Sequence, residues 1–131
     1  MIEKIEKDNQ LLAIIIRKEL DDKLNFITPD ESTMQIGIQN RKKGEEILPH
    51  KHKPIPELKN IPVHETFHII QGKAQVSIFD SNKQLEKQVI LNPGDTIFLS
   101  TGHSITFLED TKMLEVKQGP YRGKETEKEY L

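Results

Sequence analysis

Apolar residues along this chain recur mostly at every second position. The stretch LLAIIIRKEL at 11–20 concentrates isoleucine, a β-branched residue that favours strands, and the polar run DDKLN at 21–25 ends it. Met34, Ile36 and Ile38 alternate with Gln35 and Gly37, the pattern of a half-buried strand. In ETFHIIQG (65–72), Glu65, Phe67 and Ile69 fall on one face and Thr66, His68 and Ile70 on the other. Ala74, Val76 and Ile78 repeat the alternation, and further strands are predicted over 88–91, 96–99, 104–108 and 113–117. Turn signals fall between them: DSNK at 80–83, NPGD at 92–95 with the Pro-Gly centre of a type II turn, a Thr-Gly-His corner at 101–103, and EDTK at 109–112. Residues 44–62 carry four prolines and read as irregular. No stretch has sustained helical periodicity. Short strands at roughly ten-residue spacing predict an all-β fold, an antiparallel sandwich or barrel such as a jelly roll. One domain is expected over 1–131, with its core in about 11–118 and a loosely held charged tail from 122.

Composition narrows the function classes. The 131 residues are 34% apolar and 31% charged, enough for one lean core. The formal charge of −2 is spread along the chain without a basic stripe, so nucleic acid is not an expected partner. Cysteine is absent, which excludes disulfides, thiolate metal sites and a cysteine nucleophile. The apolar run at 11–16 is too short to span a bilayer, and the mixed acids and bases before it do not resemble a secretion signal. No membrane partner and a cytoplasmic location are therefore expected. No nucleophile elbow, phosphate-cradling loop or dinucleotide fingerprint occurs.

The candidate chemistry begins at GEEILPHKHK (44–53). His50 and His52 lie one residue apart, and in an extended segment such residues share a face, so two imidazoles can grip one metal ion. Imidazole with carboxylate suits Fe, Mn, Ni, Co or Zn, and two histidines with one carboxylate suit non-haem Fe(II). The sequence around them resembles the cupin superfamily. Gly44, five residues, His50-Lys51-His52 match the front of the first cupin motif, and Glu65, six residues, Gly72 match its back. Twelve residues separate His52 from Glu65, more than the motif has, and 53–64 reads as a loop inserted at the pocket mouth. Glu57 meets the front-half spacing but sits among Pro54, Pro56 and Pro62, where a central strand is disfavoured. In the second motif Gly94 and Gly102 fall in register, Ser100 replaces a proline, Ile105 stands where a histidine is usual and Glu109 where an asparagine is. His103 comes two residues early, which keeps its face but moves it about 6–7 Å along a strand. The closing LEVKQGPYRG (114–123) is similar to the end of small single-domain bacterial cupins.

The resemblance implies a cupin-type jelly roll holding one divalent metal through His50, His52 and Glu65. His103 would be a further ligand or the catalytic acid/base. It implies dioxygenase- or isomerase-type chemistry on a small oxygen-rich ligand such as a sugar or a keto or enediol acid. Two other readings stand beside it: a non-catalytic carbohydrate-binding module, and a metal-free nucleotide-sugar isomerase or epimerase with Arg41, Lys42 and Lys43 near a diphosphate. His64 and His68 read as packed or surface residues. By analogy with the family a homodimer is expected, with 11–20 adding to a partner's sheet.

Overall fold

In the computed structural model the described residues are 1–18, 26–38, 43, 45–46, 48–50, 52–53, 56, 58–119, 123, 126 and 128–131. Gly44, Lys51, Glu57, the Arg41-Lys42 pair, the turn at 21–25 and part of the tail lie outside them. The chain divides into two compact units, Met1–Leu20 with Val63–Leu131, and Asp21–Pro62.

The larger unit is all-β. Its strands are β1 (Ile2–Lys7), β2 (Gln10–Ile16), β3 (Glu65–Gln71), β4 (Ala74–Phe79), β5 (Leu85–Leu91), β6 (Thr96–Leu99), β7 (His103–Phe107) and β8 (Lys112–Lys117). They form two antiparallel sheets, a five-stranded one in the order β1-β2-β6-β3-β8 and a three-stranded one in the order β5-β4-β7. From β5 onward each connection crosses between sheets, so β6 and β8 join the larger sheet and β7 the smaller. The sheets do not close into a barrel. Their facing sides share one core, in which Ala13, Ile15, Phe67, Ile69, Ile97 and Leu99 of one meet Val76, Ile78, Val89 and Leu91 of the other. This is the layering of a β-sandwich.

Local chemistry explains the connections. Asp8 and Asn9, at φ 51° and 61°, turn β1 into β2 with two left-handed residues, a conformation these side chains tolerate best after glycine. NPGD closes as expected: the Asp95 N–H donates to the Asn92 carbonyl at 3.0 Å, with Gly94 at φ 90°. In DSNK the Asp80 carboxylate accepts from the Asn82 and Gln84 N–H groups, each at 2.9 Å.

Three expectations need correction. β1 was not foreseen. Its Ile2 pairs with Ile16 and Ile5 with Ala13, and a register shift after Ile5 breaks the alternation. Residues 34–38 form no strand; the Phe26–Gly37 bridge is their one ladder contact among the described residues. Instead the Gln35 side chain donates to the carbonyls of Pro29 and Ser32, both at 2.9 Å, and of Asp30. Finally, β2 lies between β1 and β6, so both its edges are already paired and it cannot extend a partner's sheet.

Charge pairs hold the β1–β5 side of the sandwich. Lys7 contacts Asp80 at 2.8 Å and Glu86 at 3.2 Å, and Lys87 contacts Glu3. On the opposite side the edge strands are β7 and β8, and there the polar residues turn inward.

Candidate functional site

Cross-strand partners in an antiparallel sheet share a face, which locates the inward side chains at this edge. Glu65 lies across from the core residue Leu99, and Phe67 across from Ile97. On the other side Glu65 lies across from Lys117, Phe67 from Glu115 and Ile69 from Met113. Since Phe67 and Ile69 are core, Glu65, Glu115 and Lys117 are on the core side of the larger sheet. In the smaller sheet His103 and Ile105 lie across from Ile78 and Val76, again on the core side.

The two sheets meet through a polar contact here. His103 Nε2 lies 2.8 Å from Glu65 Oε2, with the side chains 22% and 19% exposed. The Phe67 and His103 rings stand edge to face, 6.0 Å apart. His103 Nδ1 faces the Thr101 carbonyl at 3.0 Å. A carbonyl only accepts, so Nδ1 carries the hydrogen and Nε2 is the nitrogen turned to Glu65. Burial opposes protonation of this imidazole; the bonds to Glu65 and Thr101 and the charges of Glu65 and Glu115 more than reverse it, raising its pKa above 6.5. The His103 bond holds the Glu65 carboxyl below its ordinary 4.5, against burial and with help from the His103 charge, Glu115 and Lys117. Both shifts favour the imidazolium–carboxylate form of the pair, with the charges of Glu115 and Lys117 acting on it.

The smaller unit holds the other two candidates. His50 and His52 are exposed, with ring centroids 5.2 Å apart at 70°. His50 Nδ1 donates to the Leu48 carbonyl at 2.7 Å, a bond that selects the tautomer with its lone pair on Nε2. So the structure brings Glu65 to His103 and His50 to His52, one pair in each unit. Among the described residues of either unit taken alone, no three His, Asp or Glu side chains gather as a ligand set.

The donor chemistry of these residues nevertheless fits a divalent metal. Ligand histidines commonly have one ring nitrogen held by a carbonyl, as His50 and His103 do. The 2.8 Å separation of His103 Nε2 and Glu65 Oε2 is that of a hydrogen bond, so either atom would ligate an ion only after Nε2 gives up its proton.

His64 and His68 are engaged elsewhere. His64 is buried with its ring 5.3 Å from that of Phe98, and burial lowers its pKa. His68 Nδ1 lies 2.8 Å from Thr96 Oγ1. Glu115 and Lys117 were missed as site neighbours, although the alternation Met113, Glu115, Lys117 places two charges on one strand face. A groove of about 600 Å³ on the larger unit, lined by Arg17, Lys18, Ile90, Asn92, Pro93 and Asp95, is separate from this cluster. Its Arg17 guanidinium donates to the buried Asp95 and to the Ile90 carbonyl, both at 2.8 Å, so its charge serves to tie β2 to the 92–95 turn.

Against protein-family models, curated proteins and solved structures, the chain matches none.

Proposed function

We propose that this protein is a cupin-type jelly roll that holds one divalent metal ion through His50, His52, Glu65 and His103 and acts there on a small oxygen-rich molecule. The observation that carries the reading is the Glu65–His103 contact: a carboxylate and an imidazole from different sheets, half-buried and brought together, with Nδ1 held by Thr101 so that Nε2 is the nitrogen left to ligate once it gives up its proton. The metal would supply Lewis acidity or, if iron, dioxygen activation. The chain's own residues supply the rest. Thr101 orients His103, Phe67 packs against its ring, and Lys117 places a positive charge beside Glu65 where an acidic ligand group gains from it.

The test is elemental analysis of protein purified without chelator or added metal, repeated on a His50→Ala/His52→Ala variant. Near-stoichiometric Fe, Mn, Ni, Co or Zn in the natural protein and its loss from the variant are expected. An equal metal content in both, or no calorimetric binding of any of these ions, would overturn the reading.

A second reading has its own support. The same contact is also a ready acid/base pair, since an imidazolium bonded to a carboxylate can deliver and recover a proton without a metal. In that case the protein is a metal-free isomerase with His103 as proton carrier. Metal-free protein would then retain ligand binding and activity, and His103→Ala would abolish the activity.

A further inference from the structure

β8 ends the five-stranded sheet, and among the described residues no strand pairs with its outer edge. An unpaired edge normally carries a device that discourages pairing, such as proline, a bulge, lysine or an inward-pointing charge. The edge of the other end, β1, has Glu3, Lys4, Glu6 and Lys7 along it, engaged in part with β5 and the 80–83 turn. β8 reads KMLEVK, without proline; its inward charges, Glu115 and Lys117, are of opposite sign, so they disfavour an arbitrary strand but can match a second copy of themselves, and its outward face bears Leu114 and Val116, 55% and 50% exposed. Val63 and Ile70, also exposed, lie in and just before the neighbouring β3.

We infer that β8 is the dimer seam: two copies of this chain pair their β8 strands antiparallel about a two-fold axis through Val116, joining the two larger sheets into one. The register follows from charge. A two-fold axis between antiparallel strands stands perpendicular to the sheet and passes through one residue position, so only registers that pair a residue with itself are open. Centring on Glu115 sets two carboxylates face to face, which is destabilising. Centring on Leu114 sets Met113 across from Glu115 and leaves the charges unmatched. Centring on Val116 sets Val116 against Val116 on the outer face and Glu115 of each copy directly across from Lys117 of the other on the inner face, twice over. The Lys117 ammonium has three donors, enough to serve a partner's carboxylate as well as its own chain's groups.

The absence of cysteine gives a direct test of both partner and register. In this register the Val116 Cα atoms stand about 4.5–5.5 Å apart, within disulfide reach, whereas the two copies of Leu114 are offset by about 13 Å along the strands. Under a mild oxidant, Val116→Cys is expected to run as a covalent dimer on a non-reducing gel and Leu114→Cys as monomer. By sedimentation the natural protein should have twice the 15.1 kDa chain mass. Glu115→Lys should weaken association at least tenfold, and the exchange Glu115→Lys/Lys117→Glu should restore it. Circular dichroism of each variant confirms a retained fold. A monomeric natural protein, cross-linking through position 114 in place of 116, or association indifferent to Glu115→Lys would overturn the inference. These readouts are masses, so they stand or fall separately from metal content.

Discussion

At Glu65 and His103, each side chain is what makes burial of the other affordable. A half-buried carboxylate needs a partner, and the one it has comes from the opposite sheet. In chelator-treated protein, His103→Ala leaves Glu65 without that bond and is expected to lower stability to urea by about 1–3 kcal/mol. Glu65→Gln keeps a donor for the neutral His103 nitrogen and should lose less. Equal losses would show that the contact contributes only packing. The sequence made both residues legible as inward-facing by parity alone. Their direct contact was not legible, because parity assigns a face and says nothing about which sheet a strand joins. Glu115 and Lys117 were hidden by the same limit: charges on a strand read as solvent-facing until the register shows Phe67 and Ile69 beside them.

Strands and turns differ in how local their causes are. The chain passes from β3 in the larger sheet to β4 in the smaller one at Gly72, which sits at φ 95°, and a Cβ there would run into the Asp110 carbonyl and come within 2.7 Å of Thr111 Cα. Gly72→Ala therefore meets both a strained backbone and a neighbouring chain, and a loss of about 1–3 kcal/mol is expected in chemical denaturation. A neutral result would mean that the 109–111 turn can move away. Such turns were readable, as were β3, β4, β6, β7 and β8, because their cause is a few adjacent residues. The misreadings have the opposite origin. Ile2 and Ile5 point to opposite faces of an edge strand, so β1 lacks the period that announces a strand. Residues 34–38 have the period but find one bridge, because the Gln35 amide captures the carbonyls around it.

Across the whole larger unit, the two edges of the sandwich are built differently. The β1–β5 side is clasped by ion pairs, of which Lys7–Asp80 is the most enclosed, with the Asp80 side chain 5% exposed. The Lys7 bond, then the Gln84 and Asn82 N–H groups, hold the Asp80 carboxyl below its ordinary 3.8, against burial. Its two carboxylate partners hold Lys7 up to about 12, from 10.5. A depressed carboxyl contributes stability above its unfolded value and loses it as pH falls through the folded one. A raised amine contributes below 10.5 and loses it as pH rises through about 12. The clasp is thus at full strength between 3.8 and 10.5. Asp80→Asn should destabilise the protein at neutral pH, and the gap to the natural protein should narrow as the pH falls below 3.8. Urea titrations at two pH values check this; a gap independent of pH would assign the loss to the turn hydrogen bonds.

The sequence by itself determined the all-β character, most strand positions, the turns and the inward parity of Glu65 and His103, because each depends on the two-residue period or on a few neighbouring side chains. Only the tertiary structure decided that β2 is an inner strand, that β7 and β8 are the end strands of their sheets among the described residues, and that an imidazole of one sheet meets a carboxylate of the other. Those outcomes depend on which strands exchange backbone hydrogen bonds, and every strand with an apolar face offers the same bonds to every other. The choice is made by how the whole set packs around one core.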